Sequence, residues 1–353
     1  MADPASDQDV RGIDVPSVTA WFEEHVPDAR GPFTFDLIAG GHSNLTYGVG
    51  DNSGTRWVLR RPPLGNLLAS AHDMGREHRI ISALGPTAVP VPDALGLCTD
   101  DAVNGAPFYV MDFVEGTVAR NRSIAEGFTP EQRETAGRSV VDVLVDIHLV
   151  DLEAADLDDL GRHEGYIERQ LKRCNGHWEK SKTRDLPIID EVHAILSANI
   201  PEQGPATIVH GDYRLDNCLV GADGSIAAVL DWELCTLGDP LADVGLLMVY
   251  WAEAGDADPI PPDAPTTVEG FGSRKEVLER YAERSGRDVS QVDFYTAFGY
   301  WKLACIIEGV YARYAAGVMG REGGGAEAEA AGTIFSDQVL RIATEARNAV
   351  ADL

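Results

Sequence analysis

Apolar and polar positions change period several times along the chain, and each change predicts a different element. From Phe33 to Ile38 and from Thr46 to Val49 the two kinds alternate, which sends successive side chains to opposite faces and predicts two strands. Between them lies the turn Gly40-Gly41-His42-Ser43-Asn44, and Arg56 to Arg60 predicts a third strand. From Ser70 to Leu84 the apolar spacing becomes three and four residues, as in a helix that stops before Gly85-Pro86. Phe108-Tyr-Val-Met-Asp-Phe-Val-Glu-Gly116 is almost continuously apolar, the mark of a buried strand running into a glycine. These elements make a small antiparallel sheet with one helix, and a lobe boundary is expected near residue 115.

Beyond that point the period is helical. Thr129 and Gln132 have the spacing of a capping box, Pro130 suits a first helical position, and Val141, Leu144, Val145 and His148 line one face of the helix that follows. Asp239-Pro240 starts another helix through Leu246, Leu247 and Tyr250, and Gln291 to Ala316 forms a third, whose aromatic residues Phe294, Tyr295, Phe298, Tyr300, Trp301 and Tyr311 read as core. Asp293 and Glu308 in the same stretch could meet a cation. The Gly, Glu and Ala-rich run from Gly320 to Gly332 predicts a low-complexity break between helices. The expected division is a flexible polar arm over 1–14, a first lobe over 15–115 and a second over 116–353. The fold class is α+β.

Length and composition sharpen this picture. At 353 residues, with 44% hydrophobic and 24% charged positions, the chain is long enough for two folded lobes and too apolar for disorder. Its 29 basic and 57 acidic residues give a formal net charge of -28, a field that repels nucleic acid and anionic membrane surfaces. Neither is therefore expected as a partner. Cys98, Cys174, Cys218, Cys235 and Cys305 are scattered without a C-x-x-C pair, so they read as reduced thiols of a cytoplasmic protein rather than a disulfide or zinc framework. The opening residues carry no basic and apolar leader pattern, which agrees with that location.

The sharpest chemical signal is His210-Gly-Asp-Tyr-Arg-Leu-Asp-Asn217, followed by the turn Gly221-Ala-Asp-Gly224 and then Val229-Leu230-Asp231-Trp-Glu. This has the H-x-D-x-x-x-x-N spacing of a kinase catalytic loop, with a hairpin delivering a further aspartate. Phosphoryl transfer needs a carboxylate that orients the attacking hydroxyl and accepts its proton, for which Asp212 is placed. It also needs oxygen ligands for Mg²⁺ on the nucleotide phosphates, for which Asn217 and Asp231 are placed. Singly, each would do no more than close a turn. Their joint spacing points to function. Asp216 stands off the spacing and is read as support.

In the first lobe, Gly40, Gly41, Ser43 and Asn44 form a turn whose small residues allow close backbone approach to phosphates. The third strand ends at Arg60, where the kinase pattern expects a lysine on the α and β phosphates, and Glu77 is its expected helix partner. Arginine offers a wider fork in place of a point charge. Phe108 to Gly116 resembles the linker strand between kinase lobes, and that resemblance implies that Met111 faces the nucleotide base, with the backbones of Asp112 and Val114 bonding to it.

From His210 to Gly245, including Leu237-Gly-Asp-Pro-Leu-Ala-Asp-Val244, the chain resembles the aminoglycoside and choline phosphotransferase family, and within it the branch related to kinase-like domains joined to acyl-CoA dehydrogenases. The resemblance implies a protein-kinase-like two-lobed fold, with a small antiparallel-sheet N-lobe that binds nucleotide and a mainly helical C-lobe. It implies ATP or GTP with Mg²⁺ as cofactors, Asp212 as catalytic base, Asn217 and Asp231 as metal ligands, and Asp243 as a brace for the catalytic loop. Read from position alone, Asp239 and Asp243 cap or complement the dipole of a first helical turn. The expected activity is transfer of phosphate to a hydroxyl of a small molecule: an aminoglycoside, a choline-like amino alcohol or a hydroxyacyl-CoA-type metabolite. The protein would act as a monomer or homodimer. A protein substrate is disfavoured, because no A-P-E segment follows Asp231 and the next helix begins within about ten residues. The competing reading is a catalytically silent nucleotide-binding regulatory module, a pseudokinase, motivated by Arg60.

Overall fold

The computed structural model describes residues 10–39, 44–64, 72–256, 258–315 and 325–351; along 314–315 and 325–333 it is the backbone that is described. The first part contains α1 (Val15–His25), β1 (Thr34–Ala39), β2 (Leu45–Gly50), β3 (Arg56–Arg61), α2 (Met74–Leu84), β4 (Ala94–Cys98), α3 (Asp101–Asn104) and β5 (Phe108–Asp112). The five strands form one antiparallel sheet in the order β1-β2-β3-β5-β4. Alternation along β3 sends Trp57 and Leu59 into the core shared with α1, and Val58 and Arg60 to the opposite face.

Helix α1 was not expected from the pattern, because it presents only Val18, Trp21 and Phe22 to the core. Its start is defined by Asp14, whose carboxylate accepts the Ser17 N–H at 3.1 Å. Within the expected arm, Ile13 is buried and the Arg11 carbonyl accepts the Tyr47 hydroxyl at 2.5 Å. Helix α2 begins at Met74, capped by Asp73 through Arg76 N at 2.9 Å. Strand β5 ends at Asp112 rather than Gly116. There the Asp112 N–H donates to Asp93 O at 3.0 Å, and the chain leaves the sheet.

The second part holds α4 (Arg122–Glu126), α5 (Pro130–His148), α6 (Tyr166–Ser181), α7 (Pro187–Ala198), β6 (Thr207–Val209), β7 (Cys218–Val220), β8 (Ile226–Val229), β9 (Thr236–Gly238), α8 (Leu241–Tyr250), α9 (Arg274–Ser285), α10 (Val292–Ala315) and α11 (Gly325–Ala349). The Thr129–Gln132 capping box forms in both directions, at 3.2 and 2.8 Å, with Pro130 as the first helical residue of α5. Strands β7 and β8 make the expected hairpin, and β6 pairs with β9.

Of the predicted break from 320 to 332, residues 325–332 are helical and belong to α11, while 320–324 lie outside the described residues. Alanine and glutamate are strong helix formers, and the helix is anchored where Ile342, Ala343 and Ala346 are buried against the core of α6, α7 and α10. That core holds the buried rings of Trp178, Phe294, Tyr295, Phe298 and Trp301, each removing on the order of 150–250 Å² from water. A larger core joins α2 and one face of the sheet to α5, the β7–β8 hairpin and α8, which couples the two parts of the fold.

Candidate active site

The loop from His210 to Asn217 is held from behind by Asp243, fully buried in the first turn of α8. Its Oδ2 accepts the His210 N–H at 2.6 Å and its Oδ1 the Gly211 N–H at 2.9 Å. Asp243 thus braces the loop, as the family resemblance implied, while its place in the first turn of α8 keeps the dipole-complementing position read from the sequence. Burial opposes its charge, but the bond from His148 at 3.5 Å, the nearby His210 and the Gly211 N–H leave its pKa below the usual carboxylate value. Asp239 is also buried. It accepts the Leu241 N–H at 3.0 Å and the Tyr295 hydroxyl at 2.6 Å, and burial raises its pKa.

His210 orders the next residues. Its Nε2 donates to Leu230 O at 2.9 Å while its Nδ1 accepts the Asp212 N–H at 3.3 Å, so the imidazole ties the loop to the end of the hairpin. Gly211 has φ +84, and a Cβ there would come within 3.0 Å of Leu234. Only glycine fits both demands easily. The Asp212 side chain is 31% exposed, and the Asn217 amide Nδ2 donates to its backbone oxygen at 2.8 Å and its Oδ2 at 2.9 Å. That orientation leaves the Asn217 amide oxygen to offer a cation.

Asp231 follows β8 in the left-handed region, with φ 64, a conformation aspartate tolerates better than most residues. Leu230 N donates to Asn217 O at 2.8 Å, so the hairpin carries Asp231 back beside the loop. Among the described residues, three or more His, Cys, Asp or Glu side chains nowhere converge as a metal cluster. A site of one carboxylate and one amide oxygen nevertheless suits Mg²⁺, which takes few protein ligands and completes its shell with phosphate oxygens and water.

Arg60 reaches this group from the sheet. Its Nε lies 2.9 Å from Glu77 Oε2, an ion pair rather than an aligned hydrogen bond, and one terminal nitrogen closely contacts Asp231 Oδ1. Burial works against the Arg60 charge, but Glu77, Tyr109, Asp231 and Glu233 together raise its pKa, so it stays protonated. Glu77 is almost wholly buried. It also accepts from Asn44 Nδ2 at 2.9 Å and from the Tyr109 hydroxyl at 3.1 Å. Asn44 therefore braces the Arg60–Glu77 pair with its side chain. Gly40, Gly41 and Ser43 of the expected phosphate turn lie outside the described residues. Arg61, one position on, points the other way: it is 5% exposed and bonds to the carbonyls of Gly12, Pro62 and Asn104.

Between sheet and hairpin lies a cavity of about 540 Å³. Val58, Met111, Leu219 and Val229 line its apolar part, while Arg60, Asn217 and Asp231 stand at its polar end. The chain from Asp112 to Val114 forms one edge. An apolar slot ending in a charged cluster is the shape a nucleotide needs.

Two residues escaped the sequence reading. Arg214, between Asp212 and Asn217 in the motif, pairs with Asp216 at 2.8 Å, lies 3.5 Å from Asp212 Oδ1 and stacks on the Tyr250 ring at 4.7 Å. Its position inside the motif was the available signal, and Asp216 is the support expected of it. Glu233, two residues after Asp231, accepts from Asn44 at 3.2 Å, and burial with the Asp231 charge pushes its pKa up to about 7. Glu308 is fully buried, accepts from the Thr183 N–H and hydroxyl at 3.1 and 2.8 Å, and lies 3.5 Å from the Arg184 guanidinium, so the cation it meets is a side chain of the protein itself.

Against known proteins, the sequence matches the phosphotransferase enzyme family over residues 34–288. Mouse acyl-CoA dehydrogenase family member 10 is 36% identical over 291 residues, covering 81% of this chain and 27% of that protein. Rat acyl-CoA dehydrogenase family member 11 is 32% identical over 314 residues, covering 86% and 40%. The chain thus spans well under half the length of these relatives. A Ralstonia eutropha crystal structure, described as a candidate aminoglycoside phosphotransferase, superposes with a TM-score of 0.76 at 30% identity over 95% of this chain and 98% of that one. The macrolide 2'-phosphotransferase apoenzyme of Brachybacterium faecium shares the fold, with a TM-score of 0.60 at 20% identity over 90% and 97%. On the family match and these relatives, the chain belongs to the phosphotransferase enzyme family, with its kinase-like fold.

Proposed function

We propose that the chain transfers the γ-phosphoryl group of ATP, or of GTP, to a hydroxyl of a small molecule with Mg²⁺ present. The observation that carries this reading is the convergence of Asn217, Asp231 and Arg60 at the polar end of one cavity, with Asp212 hydrogen-bonded to Asn217 beside it. Asp212 orients the acceptor hydroxyl and takes its proton as the oxygen bonds to the γ-phosphorus and the bond to the β–γ bridging oxygen breaks. Asp231 and the Asn217 amide oxygen would hold the cation, which neutralises charge on the phosphates. Arg60, set by Glu77, would clamp phosphate, and Met111 with the Asp112 and Val114 backbones would bound the base. The Asp112 N–H is already taken by Asp93, so Asp112 would contribute its carbonyl.

In this reading residues 15–115 bind nucleotide and 116–353 carry the catalytic loop and acceptor site. A hydroxyacyl-CoA-type acceptor ranks first because relatives are named as acyl-CoA dehydrogenase family members, ahead of an amino alcohol or aminoglycoside; fold likeness alone does not carry a substrate. The protein would work in the cytoplasm as a monomer or homodimer. No described helix is long and apolar enough to cross a membrane. A silent nucleotide-binding module is not favoured, since a binder has no need of a carboxylate at Asp212. The test is phosphate transfer from Mg-ATP across an acceptor library. Asp212→Ala and Asp212→Asn should lose transfer by orders of magnitude while Mg-ATP affinity changes little. Near-normal turnover in both would remove the assignment.

A further inference from the structure

Lys302 stands near the middle of α10 with 9% of its surface exposed. Its inward neighbours on the helix, Phe298, Trp301, Ala304 and Cys305, are what a buried helix face normally presents. Among the described residues its Nζ has one hydrogen bond, to Gly211 O at 3.2 Å. A single neutral carbonyl is poor compensation for removing an ammonium from water. Burial accordingly drives its pKa down, against the attraction of Cys174, Asp212 and Asp243. On packing grounds a methionine would serve α10 better, so the stability of the helix does not explain the lysine.

The location of that one bond does. Gly211 is the residue before Asp212, and its peptide groups are gripped on both sides: its N–H by Asp243 Oδ1 at 2.9 Å, its carbonyl by Lys302. The Gly211 carbonyl and the Asp212 N–H belong to the same peptide plane, and that N–H donates to His210 Nδ1 at 3.3 Å. Glycine at φ +84 has no side chain to limit rotation of this plane, so outside contacts must fix it. Rotation here would swing the Asp212 carboxylate away from Asn217 Nδ2, now 2.9 Å from it.

Resting on the phosphotransfer reading, we propose that Lys302 is a positioning residue for the transfer step: from α10 it locks the Gly211–Asp212 peptide and so aims Asp212 at the acceptor hydroxyl. A shift of about an ångström in such a group can cost around a hundredfold in rate. Lys302 does not line the cavity between sheet and hairpin, so its loss should appear in kcat and leave the nucleotide site intact.

The experiment compares the parent chain with Lys302→Met, Lys302→Arg and the control Trp301→Phe. The control alters a neighbouring buried ring, which donates to Ile189 O at 3.0 Å, without touching the loop. Each is assayed for kcat with an acceptor verified on the parent, for the Mg-ATP dissociation constant and for melting temperature. Lys302→Met should lower kcat by about 10- to 100-fold with Mg-ATP affinity within about twofold and no lower melting temperature. Lys302→Arg should regain most of the rate. Trp301→Phe should melt earlier and turn over normally. A Lys302→Met protein with parental kcat, or one whose loss of rate merely tracks its melting temperature as in the control, overturns the proposal. Should Lys302→Met not fold, Lys302→Gln is read by the same criteria. Failure of the parent to transfer phosphate at all would instead overturn the underlying function.

Discussion

At the scale of single residues, Arg60 decides how the phosphates would be held. It stands where a lysine was expected, yet its guanidinium spans Glu77 and Asp231, two carboxylates that one ammonium would satisfy less well. Arg60→Ala should weaken Mg-ATP binding by about 1.5–3 kcal/mol, the range for a hydrogen bond to a charged group. Glu77→Ala should cost less, because it only orients the arginine, and the two losses should be non-additive in a double-mutant cycle. Arg60→Lys should recover part of the affinity. Titrations of these variants at one ionic strength test the set, and parental affinity in Arg60→Ala would return the phosphate role to the glycine-rich turn, because Arg61 is committed to backbone carbonyls on the other face. Asp231 and Asn217 separate in the same assay. Asp231→Ala should impair Mg²⁺-dependent nucleotide binding more than Asn217→Ala, since a hard divalent ion prefers a charged oxygen. Equal effects would count against these ligand roles.

At the scale of elements, α5, α8 and α9 meet at His148. Its ring is fully buried, with Nδ1 2.9 Å from the Tyr281 hydroxyl and Nε2 3.5 Å from Asp243. Burial holds its pKa below the ordinary value near 6.5, despite Asp243. Below that value the unfolded chain takes up a proton that the folded chain declines, so stability present above about pH 6.5 is lost as pH falls. Urea midpoints between pH 7.5 and 5.5 should therefore drop, and His148→Gln should flatten part of that slope. An unchanged slope would mean that His148 is not the group responsible. The same joint supports Asp243 and hence the His210–Asn217 loop, so phosphate transfer should be lost no later than structure on the acid side.

At the scale of the whole molecule, the net charge of -28 sets the terms on which an anionic nucleotide arrives. Repulsion slows the encounter at low salt, and raising ionic strength from about 0.01 M to 0.15 M shortens the screening length from roughly 30 to 8 Å. The association rate of Mg-ATP should therefore rise with salt over this interval, measured by stopped flow. A falling rate would mean that Arg60 and Arg120 at the cavity govern the local field instead. The five cysteines, all buried and unpaired, contribute packing and no cross-link to the fold.

The sequence by itself carried the His210–Asn217 loop motif, the hairpin, strands β1, β2, β3 and β5 and helices α2, α5, α8 and α10, because these rest on local periodicity, caps and a motif with fixed spacing. It also carried the Arg60–Glu77 pair, although only by analogy with a kinase pattern. Helix α1 was hidden by its brief apolar stripe, and α11 by a composition that also suits a linker; packing decides both. Tertiary structure alone turned the Asp243 carboxylate toward the Gly211 N–H, set Arg61 against the carbonyls beneath the sheet, stacked Arg214 on Tyr250 and buried Lys302 against the Gly211 carbonyl. The physical reason is common to all four. A charged side chain takes its role from the partner that compensates its desolvation, and here that partner lies far along the chain or across an element boundary, where no local pattern records it.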